Sequence, residues 1–284
     1  MGLPGCTWWL VTFCAAGFAL LVFLGIWLRL RRVRRDLRRL EALSEKQAVQ
    51  LRDSAERLKD LSLTDPLTGL RNRRYLRELI GAEVARVRRV HEDYRRHPEQ
   101  ERALEKAFLG FVLLDIDHFK DINDSHGHEA GDALIRGYAE RLSQTLRGED
   151  AVIRWGGEEF LVVCREVSPG SLLALCGRVA EKLKESPFRL PGGREIGCTS
   201  SVGFATFPFV AADPDLFGHE TVINLADHAM YVGKRSGRDL VVGIAPGERP
   251  IDAEVREWVK RDLRRGVDEG YLRLLVSGER ELAL

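Results

Sequence analysis

Hydrophobic positions fall into three regimes along the 284-residue chain. The first is a run without charge, WWLVTFCAAGFALLVFLGIWL at 8–28. About 20 apolar residues cross a ~30 Å hydrocarbon layer, so this run predicts one transmembrane helix. Trp8, Trp9 and Trp27 sit at its ends, where indole rings favour the interface. A secretory signal peptide competes, but it wants a basic segment ahead of a shorter apolar core. In the second regime apolar residues recur every three or four positions: Leu30, Val33, Leu37, Leu40, then Leu51, Leu58 and Leu61. Ser44, Gln47 and Ser54 fill the gap. That spacing predicts a coiled-coil helix with a weak, polar middle, or else one amphipathic helix lying on its own domain.

The third regime, residues 64–250, mixes two periods. Pro66 ends the linking helix. Residues 71–107 read as a long charged helix that breaks near Pro98, with 92–107 as an exposed excursion. FLGFVLLDI (108–116) is a continuous apolar run of strand length. Residues 129–146 carry helical periodicity through Leu134, Ile135, Tyr138 and Leu142. Residues 151–155 and 159–164 are strands around a Gly156-Gly157 hairpin turn. A helix over 171–186, a strand over 195–207, a helix over 221–237 stopped by Gly237 and a strand over 240–244 complete the pattern. Hairpins among helical crossovers predict an α+β fold, a mixed sheet flanked by helices. Residues 250–284 read as a helical tail of no assigned function, packing through Trp258, Leu263, Tyr271 and Leu274. The expected division is anchor 1–28, basic cluster and coiled coil 29–63, folded domain 64–249 and tail 250–284.

Composition excludes a disordered or collagen-like chain: 44% is hydrophobic and 31% charged. The net charge of +1 hides an uneven distribution. Residues 29–39 hold seven Arg and one Asp, while residues 40–284 sum to −5. Arginines directly after an apolar run place the downstream chain in the cytoplasm, so a single-pass inner-membrane protein is expected. The same arginines suit anionic headgroups. No nucleic-acid partner is expected. The five cysteines include no CxxC pair, so buried, reduced thiols are expected.

Three acidic residues carry the candidate chemistry. Asp115 ends an apolar strand, and Glu158 and Glu159 come directly after the Gly-Gly turn. Neighbouring strands can bring them together near Lys120, as a Mg²⁺ site completed by phosphate oxygens requires. Two such ions would support in-line attack on phosphorus. Gly156 and Gly157 would let the backbone approach a bulky ligand.

Four blocks in order, DPLTGLRNRRYL (65–76), DIDHFKDINDSHGHEAGD (115–132), RWGGEEF (154–160) and ADHAMYVGKRSGRD (226–239), resemble the GGDEF-domain diguanylate cyclases. The resemblance covers about residues 64–245. It implies a palm like that of adenylyl cyclases, and condensation of two GTP into cyclic di-GMP and two pyrophosphates across a homodimer. It implies Mg²⁺ or Mn²⁺, two per active site, held by Asp115, the Ile116 carbonyl, Glu158 and Glu159. Glu158, Glu159 and Lys120 are the implied catalytic residues. His118, Phe119 and Lys120 would cradle the triphosphate, with Lys234 and Arg238 one helical turn apart on its terminal phosphates. Asn123 and Asp132 would read guanine, and His128 falls where the family contacts substrate. Arg147 and Asp150 match an RxxD site at which cyclic di-GMP inhibits. Asp239 stands where the family commonly has Asn, and Gly233 where it commonly has Ala. A regulatory protein on the coiled coil or tail is a further implied partner. The alternative is a catalytically silent cyclic di-GMP receptor at the membrane.

Overall fold

The structure is a computed structural model that describes residues 27, 29–32, 34, 45–47, 63–97, 107–278 and 282–283. The chain divides into two compact units, residues 1–62 and 63–284. In the first unit the described residues are helical, and the Arg31 guanidinium lies 3.8 Å over the Trp27 ring. The coiled-coil seam of 30–61 lies, apart from Leu30 and Gln47, outside the described residues.

The expectation of a single-pass inner-membrane protein is corrected. Among the described residues no helix is long and apolar enough to cross a membrane. The physical reason is charge: the described helices of sufficient length carry Arg, Asp and Glu throughout. The run 8–28 lies outside the described residues except for Trp27.

The second unit begins with β1 (Arg71–Asn72) and α1 (Arg73–Arg96). The Asn72 side chain caps α1 by accepting from the Arg74 and Tyr75 N–H groups. The helix ends at His97, the residue before Pro98, where proline disfavours helix. It thus continues through most of the described part of the expected excursion. Next come β2 (Phe108–Ile116), α2 (Phe119–His126), α3 (His128–Thr145), β3 (Ala151–Arg154) and β4 (Glu159–Val167). Helix α4 (Pro169–Lys184) has Pro169 in its first turn and a Ser168–Ser171 capping box. The short strands β5 (Phe188–Arg189) and β6 (Glu195–Ile196) pair with each other. They lead to β7 (Ser200–Phe207), α5 (His219–Arg235) and β8 (Val241–Pro246).

The tail is helical only at first. Helices α6 (Ala253–Val259) and α7 (Leu263–Asp268) lead to β9 (Leu272–Val276), which pairs antiparallel with β8. Gly270, at φ 76°, turns the chain back into the sheet, so the tail belongs to the same unit as the expected domain.

The main sheet has the order β1-β3-β4-β2-β7-β8-β9. Strands β1 and β3, and β7 and β8, are parallel, and the other neighbours are antiparallel. Helices cover both faces, which explains the unbroken apolar run of β2. Leu109, Phe111 and Leu113 pack with α1 and α5, while Val112, Leu114 and Ile116 pack with α2, α3 and α4. Alternation then sends Asp115 to the α5 side of the sheet. Cys164, Cys176 and Cys198 are free and buried.

Candidate active site

Strand register brings the carboxylates together. Asp115 on β2 stands directly opposite Glu159 on β4. Paired residues across antiparallel strands have Cβ atoms ~5 Å apart. Glu158 precedes Glu159 in a turn closed by the Trp155 and Gly156 N–H groups donating to the Glu159 carbonyl, at 2.8 and 3.3 Å. From α5, Lys234 Nζ reaches Asp115 Oδ2 at 2.7 Å. Burial pushes the Asp115 carboxyl up to about 6, against the pull of Lys234 and with help from the negative charges of Glu158 and Glu159. A cation at this point would relieve that crowding.

The donor set fits a hard divalent ion. Among the described residues no three His, Cys, Asp or Glu side chains converge as a complete cage. Mg²⁺ seldom has one; it is held by one or two carboxylates together with substrate phosphates and water. Asp115, Glu159 and the Ile116 carbonyl offer oxygen donors of that kind. Gly156 serves the site differently from expectation. A Cβ there would lie 2.8 Å from Glu159 Oε2, so the missing side chain makes room for a carboxylate of this chain.

The loop expected to hold phosphate comes after β2. His118 precedes α2 in the left-handed region, at φ 58°, and its ring pairs with Asp121 Oδ2 at 3.0 Å. Phe119 is buried, so its side chain serves the core and only its backbone can face a ligand. Lys120 is exposed in the first turn of α2, at the positive end of the helix. The Lys234–Arg238 pairing needs correction. Helix α5 ends at Arg235, and Arg238 lies beyond it at φ 61°. Gly237, at φ 100°, and the bond from Arg238 N–H back to the Gly233 carbonyl at 3.1 Å stop the helix in the manner of a Schellman motif. The two cations therefore leave the backbone from different elements.

On the other face, Asn123 on α2 rests over Gly131 on α3, where a Cβ would lie 1.9 Å from Asn123 Oδ1. Asp132 and His128 are exposed on the first turns of α3. Arg147 and Asp150 lie at the end of β3 away from the Gly-Gly turn. Arg147 N–H donates to Asp150 Oδ2 at 3.2 Å, and Arg165 N–H to Oδ1 at 3.3 Å. Burial raises the Asp150 carboxyl, and these bonds only partly offset it. The Arg147 guanidinium points to Glu149 at 3.5 Å and is largely exposed.

Several contributors escaped the sequence reading. Arg154 donates to both Asp65 carboxylate oxygens at 3.1 Å and to the Gly157 carbonyl at 2.8 Å, tying the hairpin tip to the segment before β1. Burial would raise the Asp65 carboxyl, but bonds from Thr68 and Arg154 outweigh it and hold it low. No local pattern signals a pair 89 residues apart. Asp117, in the turn directly after β2, is buried.

The family described as "Diguanylate cyclase, GGDEF domain" matches residues 62–240. The response regulator PleD of Caulobacter vibrioides is 34% identical over 196 residues, which is 69% of this chain and 39% of that protein. Diguanylate cyclase DgcP of Pseudomonas aeruginosa is 36% identical over 207 residues, 71% of this chain and 28% of that one. The chain thus spans less than half the length of these curated relatives. Among solved structures, diguanylate cyclase SiaD of Pseudomonas aeruginosa, in complex with its activator SiaC, superimposes with a TM-score of 0.50 at 30% identity, covering 82% of each chain. The coiled coil and GGDEF domain of DgcB from Caulobacter crescentus, in complex with c-di-GMP, gives 0.50 at 25% identity, covering 73% of this chain and 98% of that one. A match across more than half of the chain, on a fold that seats the Gly-Gly-Glu-Glu turn against Asp115, means that the chain belongs to the GGDEF domain family of diguanylate cyclases.

Proposed function

We propose that this protein is a diguanylate cyclase that joins two GTP molecules into cyclic di-GMP. The observation that carries the reading is the Asp115–Glu159 register pair with Lys234 Nζ 2.7 Å from Asp115. Asn123 and Asp132 bind guanine: a carboxylate accepts from its N1–H and N2–H₂, which adenine cannot offer. The backbone of His118 and Phe119, with Lys120, holds the triphosphate at the α2 N-terminus. Lys234 and Arg238 neutralise its outer phosphates, one as a point charge and one as a fork of donors. Asp115, the Ile116 carbonyl, Glu158 and Glu159 would hold Mg²⁺, which would supply charge neutralisation on phosphate oxygens.

One domain holds one GTP, so two copies face each other, brought together by the apolar seam read at 30–61. Each 3′-oxygen forms a bond to the α-phosphorus of the other nucleotide. The α–β bridging bond breaks and pyrophosphate leaves, twice per product. The 3′-hydroxyl proton passes toward the Glu158–Glu159 carboxylates. Cyclic di-GMP binds back at Arg147 and Asp150 as an inhibitor, guanine on the carboxylate and phosphate on the guanidinium. The test compares the full-length protein with Glu159→Gln on GTP and MgCl₂. Losing a direct ligand should cost more than the ~10–100-fold typical of outer-shell partners. Equal turnover by the variant would overturn the assignment.

A further inference from the structure

Three hydrogen bonds converge on a carboxylate that the proposed chemistry does not use. Asp117 is 3% exposed. Its Oδ1 accepts from the Ser201 hydroxyl at 2.7 Å. Its Oδ2 accepts from the Thr199 hydroxyl at 2.7 Å and from the Asp239 N–H at 3.0 Å. Its own N–H donates to the Thr199 carbonyl at 3.0 Å. Asp117 is thus fastened to the start of β7 and, through a single bond, to the turn after α5.

That turn is unusual. Arg238 and Asp239 both have positive φ, 61° and 45°. Residues with a Cβ hold such conformations only where the surroundings over-determine them. Here the Arg238 N–H is fixed to the Gly233 carbonyl at 3.1 Å and the Asp239 N–H to Asp117. Lys184 from α4 reaches both Asp239 carboxylate oxygens at 3.2 Å. Three donors meeting on two oxygens call for an acceptor-only group, which an ionised Asp is. Asn is the nearest substitute: its oxygen can keep Thr199 and Asp239, and its amide can donate to Ser201, whose hydroxyl rotates.

We propose that Asp117 is a positioning residue for the triphosphate, locking the turn that launches Arg238 to the end of β2, two residues from Asp115. The Arg238 backbone is then held in fixed register with the end of β2 that carries Asp115. The inference rests on the reading of Arg238 as a phosphate holder, and the test separates the two.

Titration calorimetry of the full-length protein with a GTP analogue bearing a methylene α–β bridge, in MgCl₂, measures the affinity, with the thermal midpoint recorded beside it. Asp117→Ala and Arg238→Ala should each weaken binding about tenfold, the scale of one lost charge-assisted contact. The double variant should bind about as Arg238→Ala does, because the two act as one unit. Asp117→Ala in a Lys234→Ala background should still cost about tenfold, and Asp117→Asn should stay within about threefold of wild type. Asp117→Ser, which can serve the hydroxyls but falls short of the Asp239 N–H, replaces Asp117→Ala if the latter does not fold. An Asp117 effect that is absent, or that persists in full without Arg238, overturns the proposal while leaving the Arg238 reading intact. An Arg238→Ala protein that binds normally overturns both.

Discussion

Gly131→Ala separates function from stability more sharply than other single changes at this site. The new Cβ would lie 1.9 Å from Asn123 Oδ1 and 3.1 Å from Phe119 Cζ. Ordinary non-bonded contact begins near 3.5 Å, so the amide must retreat by roughly 1.5 Å. Asn123 is only half-buried, and its side chain can swing outward without moving the backbone. Phe119 needs to shift by only a few tenths of an ångström. Meanwhile, Gly131 lies inside α3, where Ala is favoured over Gly by about 1 kcal/mol. Strain and propensity therefore nearly cancel, and the thermal midpoint should stay within a few degrees of wild type. The displaced amide, however, no longer reaches guanine. One unmet polar contact costs about 1–3 kcal/mol, about 5- to 150-fold in GTP affinity. Calorimetric titration of a non-reactive GTP analogue beside thermal melting reads both quantities. Normal GTP affinity in a folded Gly131→Ala protein would refute the placement of Asn123 as a base reader. A large loss of stability would refute the account of where the strain goes.

The same geometry sets the outcome of three other experiments. In metal- and nucleotide-free protein the Asp115 carboxyl should titrate near pH 6 by ¹³C NMR. A carboxyl raised in the folded state contributes stability that is present at low pH and lost as pH rises through 6, so melting between pH 4 and 7 should show that slope and Asp115→Asn should flatten it; a midpoint near 4 would contradict the burial argument. Arg154→Ala leaves Asp65 without its main cation and frees the Gly157 carbonyl, and should cost about 2 kcal/mol in urea unfolding; an unmoved midpoint counts against the strut. Arg147→Ala should retain turnover and the thermal midpoint, since the guanidinium is exposed, yet abolish inhibition by cyclic di-GMP; unchanged inhibition would place the product elsewhere.

The parts of the fold legible in the sequence are those where one periodic signal dominates. The apolar run 108–116 had to be a strand buried on both faces, and the Gly-Gly step between two apolar runs had to be a hairpin. Helices α3 and α5 are readable from 3.6-residue spacing and a glycine stop. Two-residue strands such as β1, β5 and β6 carry no period and are invisible to it. Strand β9 is hidden because Leu272–Val276 continues a charged, helix-like stretch, and only Gly270 breaks it. At the site, the meeting of Asp115 with the Glu158–Glu159 turn could be anticipated from strand adjacency. Counting four residues from Lys234 misplaces Arg238, because it carries the helix past the Gly237 stop that the sequence itself marks. Asp117 and the Asp65–Arg154 strut depend on tertiary proximity, for which residue spacing offers no cue.

The central claim is that this chain turns GTP into a cyclic dinucleotide by paired attack on α-phosphorus. Its most direct measurement is product stoichiometry. Purified full-length protein is incubated with GTP and MgCl₂, nucleotides are separated by chromatography, and pyrophosphate is counted by a coupled assay. The account predicts cyclic di-GMP with two pyrophosphates per molecule and no GDP. GDP with inorganic phosphate, or unchanged GTP from protein shown to be dimeric, would contradict it.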